Sequence, residues 1–257
     1  MAYNAFSPIG STLIATRSPP RLKIYKWLVV LTVLVISTMF IGTIIIILSL
    51  LAMPEFSSRV FGKLWARLNM AVMFMRVQVL GRENIDSKQS YVIAANHQSQ
   101  LDIYVLYGYL NIPFKWAMKK ELRRVPILGL ACEFMGHIFI DRAKTDAARG
   151  ALSEAQAHIK DGISVVFFPE GTRSRSGQLG SFKKGAFRLA QDLAIPVLPV
   201  SIHATNRILP SDGLHWRPDS ATLKIHAAIT PTGNSPTEIN TLTAQTRAII
   251  SEALIDE

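Results

Sequence analysis

The chain has 257 residues, enough for one sizeable α/β domain and a short accessory segment. Hydrophobic residues make up 49% of it and the mean hydropathy is +0.25, so we expect part of the chain to face a membrane. The single cysteine, Cys132, excludes an internal disulfide. Its apolar surroundings from Ile127 to Met135 predict a packing role, and we expect the folded domain to lie in a reducing compartment.

The net charge of +10 is compatible with either nucleic acid or anionic lipid as a partner, and its location distinguishes the two. The first 80 residues hold eight basic residues and one acidic residue, Glu55, and so carry +7 of the total. Basic residues that flank an apolar run are typical of contact with lipid headgroups, whereas a nucleic-acid-binding protein needs them on its folded domain. We therefore predict an anionic membrane surface as a partner and no nucleic acid.

The N-terminal part divides into a tail and a membrane-embedded segment. Residues 1–20 are predicted to be a flexible tail, and residues 21–80 to hold an embedded helix followed by an interfacial one. The run from Trp27 to Met53 has no charged residue, and as a helix it would be roughly 40 Å long, more than the roughly 30 Å hydrocarbon core of a bilayer. Because basic residues occur on both sides of the run, a re-entrant helix or hairpin with both ends cytoplasmic fits as well as a single span.

A basic amphipathic helix is predicted after Pro54. Apolar residues from Phe61 to Met75 recur at helical spacing, and Arg59, Lys63 and Arg67 fall on the opposite side. This pattern is typical of a helix that lies in a membrane interface, and it also fits a helix that faces the core of a soluble domain.

Residues 81–257 are predicted to form the α/β domain, because apolar strand candidates alternate there with helical stretches. The strand candidates are Tyr91 to Ala95, Phe114 to Met118, Ile138 to Ile140, Ile163 to Phe168, Pro196 to Ile202 and Leu223 to Ile229. Helices are predicted from Ala148 to Ile159, closed by Gly162, and around Thr243 to Leu254. The expected fold is a mixed sheet covered by helices, with an N-terminal helical membrane anchor.

A histidine and an aspartate are predicted to meet where the first of these strands enters a helix. Ser99, with Asp102 three residues later, resembles a capping box and places the helix start at Ser99. On one continuous helix His97 and Asp102 would point about 140° apart, but with His97 in the preceding loop the two can face each other. An aspartate that accepts the imidazole N–H leaves the other ring nitrogen as a general base, so we predict His97 as base and Asp102 as its orienting partner.

Four motifs follow one another between Val92 and Ile202. They are Asn96-His97-x4-Asp102, Gly136-His137-Ile138-Phe139-Ile140-Asp141-Arg142, Phe168-Pro169-Glu170-Gly171-Thr172-Arg173-Ser174 and Ile195-Pro196-Val197-Leu198-Pro199-Val200. In this order and at these separations they resemble the glycerolipid acyltransferases, a family that includes 1-acylglycerol-3-phosphate acyltransferase.

The resemblance implies a direct acyl transfer. His97 would take the proton of an acceptor hydroxyl, and the oxygen would attack the thioester carbonyl of acyl-CoA or acyl-carrier protein without an acyl-enzyme. A hydrolase triad with Ser99 as nucleophile is not expected, because the strained G-x-S-x-G elbow is absent and Ser99 already caps a helix.

The third motif is predicted to bind the acceptor. Gly171 permits close backbone approach, and the planar guanidinium of Arg173 suits a phosphate. The resemblance implies that Glu170 contacts or organises the glycerol end of the acceptor. The other motif residues assigned to substrate binding are Asn96 and Thr172.

Further basic residues are predicted to supplement Arg173 around a phosphate. They are Lys120, Lys183, Lys184 and Arg142, the last of which fits a structural role equally well. No His/Cys cluster has metal-ligand spacing, and neither G-x-G-x-x-G nor a phosphate-loop motif occurs, so we expect no metal and no cofactor beyond the acyl donor as co-substrate.

The function predicted from the sequence is transfer of a fatty acyl group to the sn-2 hydroxyl of 1-acylglycerol-3-phosphate, which yields phosphatidate for phospholipid biosynthesis. The alternatives are another lysophospholipid or a lyso-aminolipid as acceptor, and a non-catalytic lipid-binding membrane protein. The expected location is a membrane, in a bacterium the inner one, with the catalytic domain on the cytoplasmic face.

Overall fold

The computed structural model describes residues 20–141, 150–153, 156, 159–211, 216–233 and 235–255, and in these ranges seven strands form one sheet. The strands are β1 Arg76–Leu80, β2 Val92–Ala95, β3 Phe114–Lys119, β4 Ile138–Ile140, β5 Ser164–Phe167, β6 Val197–His203 and β7 Ser220–Ile225. Their order across the sheet is β1-β7-β6-β2-β5-β3-β4. β6 and β7 are antiparallel and the other neighbours are parallel, so the predicted mixed α/β sheet is confirmed.

The strands predicted best are the central ones, because most of their residues are apolar. Every residue of β2, β5 and β6 is buried, as expected for parallel strands covered on both faces. The strand predicted over Leu223 to Ile229 begins and ends earlier than expected, at Ser220 and Ile225, and Ile229 makes only an isolated bridge to Val197.

The first strand, β1, lies before the predicted start of the α/β domain. β1 alternates between exposed and half-buried residues and pairs with β7 at the edge of the sheet. The sequence prediction missed this strand, because the polar residues Arg76 and Gln78 interrupt its apolar residues. The sheet therefore begins at Arg76, five residues before the predicted start of the α/β domain at residue 81.

The helices of the described ranges pack on both faces of the sheet. They are α1 Pro20–Leu50, α2 Pro54–Ser57, α3 Lys63–Val72, α4 Leu101–Tyr109, α5 Leu128–Phe134, α6 Gly185–Asp192, α7 Thr205–Ile208 and α8 Pro236–Ile255, with a π-helical turn at Ser58–Gly62 between α2 and α3. The helix predicted from Ala148 to Ile159 lies partly outside the described residues, and the described residues 150–153 and 156 are helical.

The long apolar helix α1 lies against the domain. Its stretch Trp27–Leu50 has a mean hydropathy of 2.7 and is long enough to cross a membrane, yet less than a third of it is buried. Two polar contacts attach it to α3: Trp65 Nε1 donates to Thr38 Oγ1 at 3.0 Å, and Asn69 Nδ2 donates to Ser37 Oγ at 3.1 Å. The outer side of α1 is a row of exposed apolar side chains.

Helix α3 contacts the domain through its two basic residues, which remain at the surface. The half-buried Lys63 donates from Nζ to Asn111 Oδ1 at 2.8 Å, and the exposed Arg67 donates from Nε to the carbonyl of Gly108 at 3.0 Å. Both contacts lie at the C-terminal end of α4, where the helix dipole favours positive charge. The apolar side chains of Leu64 and Leu68 are also exposed, at 52% and 40%.

Candidate active site

The candidate site lies at the carboxyl edge of three adjacent strands. β2 is the parallel neighbour of both β5 and β6, so the segments that follow these three strands leave the sheet at the same edge. The segment after β2 carries His97, the one after β5 carries Glu170 and Arg173, and the one after β6 carries Thr205. The crevice outside the carboxyl ends of the strands is where open α/β sheets bind ligands.

His97 and Asp102 pair as predicted from their spacing. His97 Nδ1 lies 2.8 Å from Asp102 Oδ2. The same oxygen accepts the backbone N–H groups of Gln98 at 2.7 Å and Ser99 at 2.8 Å, and Oδ1 accepts the hydroxyl of Thr205 at 2.5 Å. Asp102 is fully buried, so these donors replace the water that its carboxylate has lost.

The predicted capping box is present in part, and α4 begins at Leu101 with Gln100 as its N-cap, two residues after the predicted start at Ser99. The N–H of Ser99 bonds to the Asp102 carboxylate, and the N–H of Leu101 donates to Ser99 Oγ at 3.2 Å. Ser99 Oγ in turn donates to the carbonyl of Leu209 at 2.7 Å. The Ser99 hydroxyl is therefore held by the backbone, which agrees with a structural role.

The imidazole of His97 is held at one face of its ring as well as at Nδ1. Its ring stacks on Phe168 with centroids 3.9 Å apart and planes 9° from parallel. The side chain keeps 14% of its surface exposed and lines a cavity. Because Nδ1 is engaged with Asp102, Nε2 is the nitrogen that can take a proton from a molecule in that cavity.

Glu170 organises the loop that carries His97. Its Oε1 accepts the backbone N–H of His97 at 2.7 Å, and its Oε2 accepts the N–H of Gly180 at 2.8 Å. The carbonyl of His97 accepts the N–H of Ser174 at 2.8 Å, so the two loops are joined at both backbone groups of His97. Burial raises the pKa of the Glu170 carboxyl, while the N–H donors of Gly180 and His97 partly oppose that change.

The remaining residues of the third motif surround the opening of the site. Gly171 has a φ of +78°, and a Cβ there would come within 2.8 Å of Lys183 Nζ, so the absence of a side chain lets the Lys183 chain pass over this backbone. Arg173 is exposed and lines the same cavity as His97. Thr172 is exposed beside it. The structure thus places Arg173 and His97 on one cavity, with Lys183 over the adjoining loop.

Other predicted substrate-binding residues have different surroundings. Asn96 is fully buried and exchanges two hydrogen bonds with the backbone of Ile202, at 2.9 and 2.7 Å, so it presents no side-chain surface to a ligand and joins β2 to β6. Lys120 forms an ion pair with Asp141. Lys184 is exposed at the start of α6, and Arg142 lies outside the described residues.

The cavity beside His97 has a volume of about 420 Å³ and is mainly apolar. It extends from the active-site loops into the space between neighbouring helices, and α1, α3, α4, β3 and α5 all contribute to its wall. Members of that wall include Ile41 and Gly42 of α1, Trp65 of α3, Ile103 and Tyr104 of α4, Met118 of β3 and Ala131 of α5.

Cys132 and His137 also line this cavity, and neither is prepared for acid–base or nucleophilic chemistry. Burial raises the pKa of the Cys132 thiol to about 12, in agreement with the predicted packing role. Burial, followed by the charge of Lys115, lowers the pKa of His137 to about 3. His137 Nδ1 accepts the N–H of Trp116 at 3.4 Å, and Nε2 lies 3.2 Å from the Tyr107 hydroxyl, as expected for a neutral imidazole.

Sequence reasoning missed two contacts of the pair. The ring of Phe168 belongs to the third motif, but no pattern showed that it would stack on His97. Thr205 lies two residues beyond β6 and outside all four motifs, and only the adjacency of β6 and β2 brings it to Asp102. Nothing in the spacing of the sequence predicts that adjacency.

Comparison with known proteins agrees with this geometry. A family model described as Acyltransferase matches residues 76–203. A 1-acyl-sn-glycerol-3-phosphate acyltransferase of Pseudomonas aeruginosa is 33% identical over 197 residues, which are 75% of this chain and 76% of that protein. The chain therefore belongs to the acyltransferase family.

Further similar proteins have closely similar names. A 1-acyl-sn-glycerol-3-phosphate acyltransferase of Chlamydomonas reinhardtii is 36% identical over 174 residues, 67% of this chain. The chain spans about half the length of the algal and plant relatives it matches, 52% and 42%. The crystal structure of the 1-acyl-sn-glycerophosphate acyltransferase of Thermotoga maritima matches with a TM-score of 0.75 at 30% identity, over 91% of this chain and 96% of that one.

Proposed function

We propose that this protein transfers a fatty acyl group from acyl-CoA or acyl-carrier protein to the sn-2 hydroxyl of 1-acylglycerol-3-phosphate, giving phosphatidate for phospholipid synthesis. The observation that carries the proposal is the His97–Asp102 pair at the end of an apolar cavity that Arg173 also lines. The shared name of the relatives supports the choice of acceptor.

In the proposed reaction, His97 acts as the general base. Nε2 removes the proton of the acceptor hydroxyl, and the oxygen forms a bond to the thioester carbonyl carbon. The resulting imidazolium is stabilised by Asp102, which holds Nδ1–H. When the C–S bond breaks, His97 returns the proton to the sulfur, so the products are the ester and a free thiol, and the enzyme regains its starting state.

The substrates divide between the two chemical environments of the site. The apolar cavity suits an acyl chain, because its walls are aliphatic and aromatic side chains that gain from covering a hydrocarbon. The guanidinium of Arg173 suits the phosphate of the acceptor, with its charge and paired N–H groups. Lys183, which passes over Gly171, supplies a second positive charge near that loop.

The acceptor and its product are lipids, and we propose that α1 holds the site at the membrane. One side of α1 packs on α3 and α5, and the other side exposes apolar residues such as Leu31, Val35 and Phe40. The sequence left open a single span and a re-entrant helix or hairpin with both ends on one side. The contacts of α1 with the domain favour the second arrangement, in which the helix stays on the side of the bilayer that holds the domain.

The experiment that tests the function is an acceptor screen with the purified full-length protein in mixed micelles. Labelled acyl-CoA and labelled acyl-carrier protein are each offered with 1-acylglycerol-3-phosphate, with choline and ethanolamine lysophospholipids, and with a lyso-aminolipid. We expect transfer to the phosphate monoester, and we expect His97→Ala to lower it by about 10²- to 10⁴-fold, as is typical for loss of a general base. Preferred transfer to another acceptor would overturn the assignment of substrate, and near-normal turnover by His97→Ala would overturn that of the base.

A further inference from the structure

The carboxylate that orients His97 has a second buried partner, Thr205. We propose that Thr205 is a positioning residue for acyl transfer, whose hydroxyl fixes the Asp102 carboxylate in the orientation that accepts the Nδ1 hydrogen of His97. The inference deepens the proposed function, since it concerns the same catalytic pair.

The division of donors between the two carboxylate oxygens supports this role. Asp102 Oδ2 accepts His97 Nδ1 and two backbone N–H groups within 2.8 Å, whereas the donor that the described residues provide for Oδ1 is the hydroxyl of Thr205, at 2.5 Å. Thr205 and Asp102 are both fully buried, so water cannot replace this donor without a rearrangement. A buried charged oxygen without a donor is strongly unfavourable, and the carboxylate would turn to recover one.

The backbone around Thr205 is held where the contact requires it. Ala204 has a φ of 63°, a left-handed conformation that a residue other than glycine rarely adopts, and it turns the chain directly from β6 into α7. Strained backbone of this kind persists where surrounding structure holds it, often at functional sites. The segment is joined to the His97–Asp102 loop before the turn by Asn96 and Ile202, and after it by the bond from Ser99 to Leu209.

A neutral hydroxyl suits the charge balance of the pair. It satisfies Oδ1 without introducing a cation, so the imidazolium of His97 remains the positive partner of the carboxylate during transfer. In the part of the chain that the structure describes, the charged groups near His97 include Glu170 on its backbone N–H, and Arg173 and Lys119 on the cavity wall. The hydrogen bond to Asp102 Oδ1 comes from the neutral hydroxyl of Thr205.

The test compares three substitutions at Thr205 in the full-length protein. Thr205→Val keeps the shape and removes the hydroxyl, Thr205→Ala removes both hydroxyl and methyl, and Thr205→Ser keeps the hydroxyl. Thr246 provides a matched control, because it too is a fully buried threonine, but its hydroxyl bonds to the carbonyl of Leu242 within α8, at 2.8 Å. The measurements are kcat and acceptor KM with 1-acylglycerol-3-phosphate across pH, and the NMR titration of the His97 ring, identified from its absence in His97→Ala.

We expect Thr205→Val and Thr205→Ala to lower kcat by about 10- to 100-fold with little change in acceptor KM. The acid limb of the pH–rate profile and the His97 titration should move to lower pH, because a carboxylate that turns away from Nδ1 stabilises the imidazolium less. Thr205→Ser should restore kcat to within a few-fold, and Thr246→Val should change neither kcat nor the profile. If Thr205→Val fails to fold, the Ala–Ser pair, which differs only by the hydroxyl, gives the same comparison.

An unchanged pH profile and His97 titration in both hydroxyl-free variants would overturn the proposal, even if their activity falls. Failure of Thr205→Ser to recover activity would also overturn it. The titration separates this result from failure of the proposed function: a wild-type protein inactive towards 1-acylglycerol-3-phosphate contradicts the substrate, while the His97 titration still reports whether Thr205 acts on the pair.

Discussion

At the residue scale, the candidate site uses most of its polar side chains to position one imidazole. Asp102 holds Nδ1, Phe168 supports the ring, and Glu170 holds the backbone N–H of His97. Preorganised groups of this kind reduce the reorganisation that a reaction needs when charge develops. The sequence motif that was predicted to bind substrate therefore holds His97, the proposed base, in place.

Glu170→Gln separates the organising role of this residue from contact with the acceptor. Both carboxylate oxygens accept backbone N–H groups, so an amide would place an NH₂ group against the N–H of either His97 or Gly180. We expect kcat to fall by about tenfold or more, with a smaller change in acceptor KM, because the loop that carries the base is displaced. Steady-state kinetics at varied acceptor concentration measures the two constants, and a rise in KM with unchanged kcat would contradict the organising role.

At the scale of elements, the close approach of α4 to the π-helical turn depends on a glycine. Gly62 has helical backbone angles, so space rather than conformation requires it, and a Cβ there would overlap the ring of Tyr107. Gly108 of α4 provides a matched comparison, since its Cβ would meet the flexible end of Met70 in α3, at 2.9 Å. The two glycines thus differ in how readily the neighbouring side chain can move.

Alanine at these two positions is expected to have opposite effects. Gly62→Ala should destabilise the protein by about 1–3 kcal/mol through overpacking against the half-buried ring of Tyr107. Gly108→Ala should be neutral or stabilise it by up to about 1 kcal/mol, because alanine loses less backbone entropy in a helix. Thermal unfolding in detergent measures both, and equal shifts in the midpoint would contradict this account of the packing.

The elements that the sequence predicted and those that it missed differ in a physical property. β2, β5 and β6 are buried on both faces and therefore appear as apolar runs, while the edge strand β1 needs only its few half-buried residues. The His97–Asp102 pair was predictable because a capping box is local in sequence. The contact of Thr205 depends on strand order, which local patterns do not encode.

At the scale of the whole molecule, α1 and the α/β domain share one hydrophobic core. Ile41 and Ile45 of α1 pack with Ala131 and Cys132 of α5 and with Met135, the residue that follows α5. A helix that packs on the domain along its length cannot cross the bilayer without the domain. We therefore expect both of its ends on the side of the membrane that holds the domain.

Site-specific labelling tests this arrangement in sealed vesicles. In a Cys132→Ser background, Ser11→Cys reports the N-terminal tail and Glu252→Cys reports the exposed side of α8. We expect a membrane-impermeant thiol reagent to reach both from the same side, and the protein to remain in the membrane after high-salt and carbonate washes. Labelling from opposite sides would show that α1 crosses the bilayer, and release by salt would show that it is not embedded.

Helix α1 belongs both to the wall of the cavity and to the apolar surface of the protein. Thr38, Ile41, Gly42 and Ile45 of α1 line the cavity, while the opposite side of the same helix is exposed and apolar. A chimera that exchanges only the N-terminal helix would therefore reshape the binding site along with the membrane attachment. With the acyl chain in this cavity, as proposed, selection for a bilayer of different thickness and selection for a different acyl chain would act on the same few helical turns.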